Sequence, residues 1–529
     1  MTRTISTDAL VIGGGVTGCG VVWDLALRGV STVLVEKGDL AYGTSGRYHG
    51  LLHSGGRYAV RDPESARECA VENRILRRVA THTIEDTGGF FVVTPEDDPT
   101  YADQWLQACV DTGIPAQEIT VRQAMQREPL LNPQTQRVFF VPDAAIDGFE
   151  LLKAMAEGAK AHNAQVLTYH KVQELIVENG TVVGAVVHDL LHDEEVHIEA
   201  GVVVNAAGAW AGQVAAMAGA QVTIRPSKGT MVAYNHRVVN TVLNRCHLAG
   251  DGDILVPIHT VSIIGTTSVP VNDPDRYEIE PWEIEKMMTE AVKLVPALSQ
   301  ARVLRAWAGV RPLYEETQPR DGEEDLRAVS RTFALLNHET RDGIVGFLSI
   351  VGGKLTTYRL MAEKAADAAC ARLGVDSPCR TAEVPIPGSE QQKYHALGAR
   401  LAARERERRS GQLICECELV HRHEIINFIR ETETQSLDDI RRGLRLGMGP
   451  CQGGFCAYRA VGILHQEKSL PVEQGNQSLT RFLDERWKGT YPVLWGDQLR
   501  QYFLDDWIYR GLLNSDVLPA EGPLPEAVI

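Results

Sequence analysis

Cys415-Glu-Cys417 and Cys451-Gln-Gly-Gly-Phe-Cys456 set four thiols in two close pairs near the C-terminal end, separated by residues 418–450. Zinc modules usually space paired cysteines by two to four residues, so Cys-x-Cys departs from their habit. Four thiolates suit either zinc or a [2Fe–2S] cluster. Cys19, Cys69, Cys109, Cys246, Cys370 and Cys379 are scattered singly, the usual pattern of inert buried thiols. A second constellation lies at the other end, where Gly13-x-Gly15-x-x-Gly18 is followed by Glu36. Gly13 permits a tight turn, Gly15 lets a pyrophosphate approach the backbone, and Gly18 lets helix and strand pack closely. Glu36 can accept hydrogen bonds from ribose hydroxyls and disfavours a 2′-phosphate. A third group, Arg47, His49, His53 and Arg57, sits in the polar, glycine-rich stretch 43–60, suited to lie against a flat cofactor. Of these, His53 can take a proton, since an unperturbed imidazole titrates near ~6.5.

These residues need elements to hold them. Ala9–Ile12 reads as a buried parallel strand, Val21–Leu27 as a helix stopped by Gly29, and Thr32–Val35 as a second strand. The helix N-terminus offers free N–H groups and partial positive charge to phosphates. Residues 64–80 and Leu151–His162 are helical in pattern. Gly89–Thr94, Arg137–Val141, Gln165–Tyr169, Lys171–Glu178, Thr181–His188, Asp253–Pro257 and Thr260–Thr266 are strand-like. Gly201–Asn205 leads into the small residues 206–209, a second close approach to the cofactor. Trp282–Val295 reads as an amphipathic helix, and Ala306–Pro312 as a strand ending at a turn that contains Gly309. Phe347–Val351, the Gly352-Gly353 turn and a helix from about Thr357 aim another helix start at the electron-rich edge of a flavin. The expected cofactor contacts are Gly13, Gly15, Gly18, Glu36, Lys37, Thr44, Ser45, Ala207, Gly208, Gly352, Gly353, Leu355 and Thr356.

With 529 residues the chain has room for two or three domains, and its formal charge of −16 argues against a nucleic-acid binder. No apolar run reaches the ~18 residues that a membrane helix needs. Asp8 and the lack of a basic leader argue against a signal peptide. The expected chain is cytosolic, reaching a membrane only through a partner. The run Arg404–Arg409 is expected to be a solvated helix face.

The motifs IGGGVTGCG (12–20), HGLLHSGGRYAV (49–60), ESAREC (64–69), NRC with DILVP (244–257), IIGTTS (263–268), GVRPL (309–313), GGKLTTYRLMAEKA (352–365), CEC (415–417), MGPCQGGFCAYRA (448–460) and RFLDERWKG with WGD (481–497) span nearly the whole chain. Together they resemble the A-type component of anaerobic glycerol-3-phosphate dehydrogenases. The flavin portion is shared more loosely with amino-acid oxidases, and the cysteine module is similar to bacterioferritin-associated ferredoxin domains. The resemblance implies an α/β (α+β) fold: a GR2-type, Rossmann-like FAD domain over 1–385 with an interleaved antiparallel substrate domain. The FAD layer is expected at about 1–80, 150–215 and 340–378, and the substrate layer at about 81–149 and 216–339. A linker (386–411), a helical [2Fe–2S] domain (412–470) and an extension (471–529) follow.

The implied cofactors are non-covalent FAD and a [2Fe–2S] cluster on Cys415, Cys417, Cys451 and Cys456, with FMN admitted elsewhere in the complex. The implied reaction is oxidation of sn-glycerol 3-phosphate to dihydroxyacetone phosphate. Quinone is the final acceptor through two partner subunits, peripheral to the cytoplasmic face of the inner membrane. Arg311 and Lys354 match positions that meet substrate in relatives, Arg57 is a further phosphate or flavin ligand, and His53 is the candidate base. Some relatives carry a histidine where this chain has Ser227-Lys228-Gly229-Thr230-Met231, so analogy supplies no base there. Two other classes fit parts of the pattern: an FAD-dependent amino-acid or amine oxidase, and a non-catalytic electron-transfer subunit.

Overall fold

The computed structural model describes residues 3–315, 329–390, 397–406, 411–434 and 436–512. Its first layer is a sheet whose parallel centre runs Gln165–Leu167, Thr32–Val35, Arg3–Ile12, Glu194–Asn205 and Phe347–Gly352. The first strand begins at Arg3 rather than Ala9, pairing from Arg3↔Val196 to Ile12↔Asn205. Apart from the buried Ile5 its leading residues are polar and mostly exposed, and the unbroken buried run is its last four, which is why the pattern showed only the end. The following helix, Val16–Leu27, starts one residue after Gly15. Two glycines inside it lower helix propensity and hid its first turn. They are needed for contact: a Cβ on Gly18 would lie 1.9 Å from the Gly13 carbonyl, and one on Gly20 would lie 3.0 Å from Ala362. That helix packs between Gly148–Lys160 and Tyr358–Leu373.

The covering layer is a largely antiparallel sheet, ordered Val269–Pro270, Ile224–Tyr234, Val261–Gly265, Ile254–Ile258, Val242–Arg245, Gly89–Val93, Arg137–Val141 and Gln117–Ile119. Val303–Tyr314 adds to it along Ile224–Tyr234. Here the expected turn at Gly309 is wrong. The strand continues straight through, with Gly229 opposite Gly309 and Ser227 opposite Arg311. The glycine serves close approach instead, because a Cβ there would sit 2.1 Å from the Arg47 carbonyl. Phe333–Asn337, expected in this layer, pairs antiparallel with Phe347–Gly352 in the first sheet. The 43–60 stretch holds a short 3-10 turn, Thr44–Gly46, and a strand, Leu51–Leu52, paired with Ala144–Ala145.

The cysteine module has its own core of Ile414, Ile425, Phe428, Ile440, Ala457 and Leu464. Leu479 and Phe482 of the helix Val472–Thr490 join that core, so this part of the expected extension is packed into the module rather than appended to it. The stretch expected to be a linker starts packed: Ile386 lies in the first core, and the Ser389 hydroxyl donates to the Val79 carbonyl at 2.8 Å. The charge run Arg404–Arg409 lies partly outside the described residues. Within its described part, Arg404 pairs with Glu424 at 2.5 Å, so this face contacts the module.

The module is seated on the flavin layers by buried charge. Tyr169 donates to Asp439 at 2.5 Å, Arg442 pairs with Asp39 at 2.9 Å, and Thr260 donates to Glu418 at 3.0 Å. His259 lies 3.1 Å from Asp147 and 3.7 Å from Glu418, and Arg445 reaches both carboxylates. Among the described residues no helix is long and apolar enough to cross a membrane.

Candidate active site and cysteine module

A cavity of about 960 Å³ opens between the two layers. Gly13, Gly15, Glu36, Lys37, Thr44, Ser45, Ala207, Gly208, Gly352, Gly353, Leu355 and Thr356 all line it. Gly18 does not; it packs against Gly13 beneath the floor. At the start of the helix Val16–Leu27, the Val16 N–H donates to Ser45 Oγ at 2.9 Å, and a Cβ on Gly15 would meet only that hydroxyl, at 3.3 Å. A larger side chain at Gly15 would fill space that an anion can use. Glu36 ends the second strand, where its carboxylate accepts the N–H groups of Gly14 (2.7 Å) and Gly38 (2.8 Å). Burial raises its pKa and those two bonds oppose the rise. Each oxygen keeps a lone pair for a ribose hydroxyl. Lys37 stacks over Trp210 at 4.2 Å, and Trp210 Nε1 donates to Asp275 at 2.8 Å, closing one rim. The glycine cradle, helix start and acidic strand end fit FAD.

The other end of the cavity is cationic. Arg311 lies half-buried beside Gly229, where a Cβ would fall 2.3 Å from its Nη2. Its fork donates to Ser227 Oγ (3.4 Å), the Thr267 carbonyl (3.0 Å) and Thr266 Oγ1. Among the described residues no carboxylate pairs with it. Burial first, then repulsion from Arg331 and Arg57, pushes its pKa down to about 9. Lys354 Nζ donates to the Arg331 carbonyl at 2.7 Å and lies 5.0 Å over the Tyr58 ring. Arg57 also lines the cavity, but its fork is committed to Asp253 (2.7 Å) and the Gly250 carbonyl (3.1 Å).

His53 is brought against these cations, its N–H donating to Thr356 Oγ1 at 3.1 Å and its ring 5.3 Å from Tyr58. Burial, then His49, Arg57, Lys354 and Arg331, hold its pKa well below the ordinary imidazole value. His49, half-buried, is pushed down to about 3 by desolvation and then by Arg57 and Arg311, and accepts the Leu51 N–H at 3.3 Å. Both rings are therefore neutral acceptors. Lys228, where relatives differ, points away from the cavity into a buried pair with Glu283 at 2.6 Å.

The four module cysteines converge. Cys417 Sγ is 3.5 Å from Cys451 Sγ, and the Cys415 thiol lies beside those of Cys417 and Cys456. Thiol contacts lower the pKa of Cys415 and Cys451 and raise those of Cys417 and Cys456, and the N–H groups of Gly453 and Phe455 point at Cys451. Thiols this close, with backbone donors on the sulfurs, fit a four-thiolate centre whose potential such bonds tune.

Sequence reading missed Arg331, Tyr58, Thr266 and the paired glycines as parts of the site. Gly229 and Gly309 carried a usable signal, since a glycine inside a strand pattern marks a close approach. Arg331 lies in Ser330-Arg331-Thr332, which matches no motif.

The family model for FAD dependent oxidoreductases matches residues 8–359, and that for BFD-like [2Fe-2S] binding domains matches residues 413–466. The chain is 45% identical to the A1 component of the anaerobic glycerol-3-phosphate dehydrogenase of Haloferax volcanii, over 97% of this chain and 92% of that one. It is 43% identical to the A component of the Escherichia coli K12 enzyme of the same name, over 97% of both. In fold it is similar to the X-ray structure of the Bacillus halodurans glycerol-3-phosphate dehydrogenase complexed with FAD. That match has a TM-score of 0.65 at 22% identity and covers 93% of this chain and 96% of that one.

Proposed function

The chain belongs to the family of A-type components of anaerobic glycerol-3-phosphate dehydrogenase, and from that premise we propose how its own residues oxidise sn-glycerol 3-phosphate to dihydroxyacetone phosphate. FAD, when bound, supplies the two-electron acceptor for the C2 hydrogen, and the [2Fe–2S] cluster supplies a one-electron store on the way out. The observation that carries the reading is Arg311, a half-buried guanidinium that pairs with no carboxylate among the described residues, in a cavity wall that also holds Lys354. A phosphate dianion answers that excess of charge better than the single carboxylate of an amino acid, which disfavours the amine-oxidase alternative.

Arg311 takes phosphate or the C2 oxygen through its fork, and Lys354 adds a point charge. Arg57, already balanced by Asp253, shapes the wall more than it binds. His53, neutral and facing the same cations, accepts the C2 hydroxyl proton as the C2 hydrogen departs with its electron pair. The substrate's negative charge raises the basicity of His53 on binding, since nearby cations are part of what depresses it. The wall cations also favour the negative charge that develops on the C2 oxygen as its proton leaves.

Electrons then leave toward partner subunits and quinone. The relatives are each named as one component of a larger enzyme, which supports a multi-subunit assembly. We place this chain peripherally on the cytoplasmic face of the membrane through those partners. The decisive experiment is an absorbance spectrum of anaerobically purified protein before and after sn-glycerol 3-phosphate. Bleaching of the flavin by this compound, and not by amino acids, is expected. A flavin that stays oxidised would leave the chain with electron transfer alone.

A further inference from the structure

The strand Val303–Tyr314 touches both redox halves of the chain. Its far end presents Arg311 to the cavity. Its near end reaches the cysteine loop through two other arginines. Arg302, just before the strand, donates from Nη2 to the Pro450 carbonyl at 2.9 Å and from Nη1 to Gln498 Oε1 at 2.8 Å. Arg305 donates to Gln452 Oε1 at 3.3 Å and to the Glu485 carbonyl at 3.5 Å. Pro450 and Gln452 flank Cys451 on either side. Gln452 is buried at φ +52° and is tied down further, its Nε2 donating to the Met448 and Gly449 carbonyls at 3.2 and 3.0 Å. Cys451 therefore sits in a clamp made by one strand.

The clamp carries unbalanced charge. Among the described residues, neither Arg302 nor Arg305 pairs with a carboxylate, and Arg305 Nε is buried without a hydrogen-bond partner. Burial depresses both guanidinium groups, Arg305 down to about 10. Both arginines are half-buried and feel carboxylates only at longer range, Asp505 and Asp497 for Arg302 and Glu485 and Asp438 for Arg305, so a further anion close by is favourable. A [2Fe–2S] centre on four thiolates is such an anion and gains a further negative charge on reduction.

We infer that Arg302 and Arg305 are positioning residues for the cluster, fixing Cys451 and holding the cluster's reduction potential up. The strand that reads the substrate thereby also sets the driving force for electron exit. This rests on the cysteine module holding an iron–sulfur cluster, as proposed above.

The test uses the full cofactor-loaded chain with Arg302→Gln, Arg305→Gln, the double variant, and the corresponding Lys variants. Cluster potential is read by EPR-monitored titration and flavin potential by absorbance. In cluster-free protein, hydrogen exchange is followed over residues 448–456. Each Gln variant should shift the flavin-to-cluster equilibrium about tenfold toward flavin, equal to about 59 mV for a one-electron couple. The Lys variants should keep most of the potential while the loop exchanges faster, because charge survives and the fork does not. Flavin potential and flavin reduction by sn-glycerol 3-phosphate should not move. An unchanged cluster potential in the double Gln variant would overturn the inference, as would Lys variants that lose as much potential as Gln. A lowered Tm with unchanged potential would reduce the arginines to packing. Wild-type protein without iron and sulfide would sink the reading of the module itself, a different failure that the metal analysis distinguishes.

Discussion

Gly229→Ala moves Arg311 without touching its charge. The added Cβ would fall 2.3 Å from Nη2, 2.7 Å from Cζ and 2.8 Å from Nη1 of Arg311. Ordinary contact needs at least 3.4 Å, so the guanidinium must retreat by about an ångström. The obstacle is the far end of a flexible side chain, so the fold accommodates the methyl and stability falls little. Substrate reading does not survive as well. A misplacement of about 1 Å in a positioning group costs on the order of 100-fold, and full loss of a buried charge-assisted contact about 2–4 kcal/mol. At ~1.4 kcal/mol per decade that range is roughly 30- to 700-fold in kcat/KM. Gly309→Ala, directly across the strand pair, is the control, because its Cβ would strike the Arg47 carbonyl at 2.1 Å, which is backbone and cannot swing aside. It should destabilise the fold by an overpacking cost of about 1–3 kcal/mol or more, read as a lowered Tm. The assay is kcat/KM for sn-glycerol 3-phosphate with an artificial electron acceptor, beside thermal melts of flavin-loaded protein. A Gly229→Ala enzyme that melts normally and keeps its kcat/KM within about twofold would refute the placement of Arg311 in substrate reading.

Four further outcomes are expected. Arg311→Met should abolish turnover yet raise the Tm of substrate-free enzyme, because burial leaves that cation unbalanced until substrate arrives; a Tm drop would mean its hydrogen bonds outweigh its desolvation. Gly15→Val should lose FAD while keeping the fold, and acid precipitation of wild-type protein should release all yellow colour; a yellow pellet would indicate a covalent link. Burial holds His259 at about 4, below its unfolded value of ~6.5, so its contribution to stability is full above ~6.5 and lost as pH falls toward 4. His259→Asn tolerates the φ of +48° and should flatten the acid-side stability slope by up to ~1.4 kcal/mol per pH unit; an unchanged slope would deny that the ring stays neutral. Cys451→Ser should damage the cluster, leave flavin reduction nearly normal and stop electron delivery to quinone; wild-type delivery would make the cluster structural.

How much of this was legible depended on whether a residue's role was local. The strand–glycine–helix–acid run could be read because its geometry is completed within residues 8–36, and the four cysteines because their chemistry needs little else. Arg311 and Lys354 were reached only through resemblance, since a lone Arg or Lys in a strand or turn resembles any surface cation. What stayed hidden was set by partners far along the chain. Gly309 was misread as a turn because the group it accommodates, the Arg47 carbonyl, lies far away in sequence. Arg331 was missed for the same reason. The seating of the cysteine module on the flavin layers was hidden too, because a long-range ion pair such as Arg442–Asp39 leaves no pattern in either segment alone.

That seating bears on how such chains can be rearranged. A module swinging on a tether could be traded between enzymes by recombination, carrying its chemistry as a self-contained cartridge. Here Glu418 and Asp147 have side chains only 1% and 5% exposed, and they share Arg445 and His259 across the seam. A host lacking the matching residues would bury these charges without partners, each at a penalty of several kcal/mol, a large share of what a small domain has in total. A transplanted cartridge would need matching residues at 147 and 259 in its new host. Lineages that reshuffle their electron acceptors should therefore exchange whole partner chains and keep this seam intact.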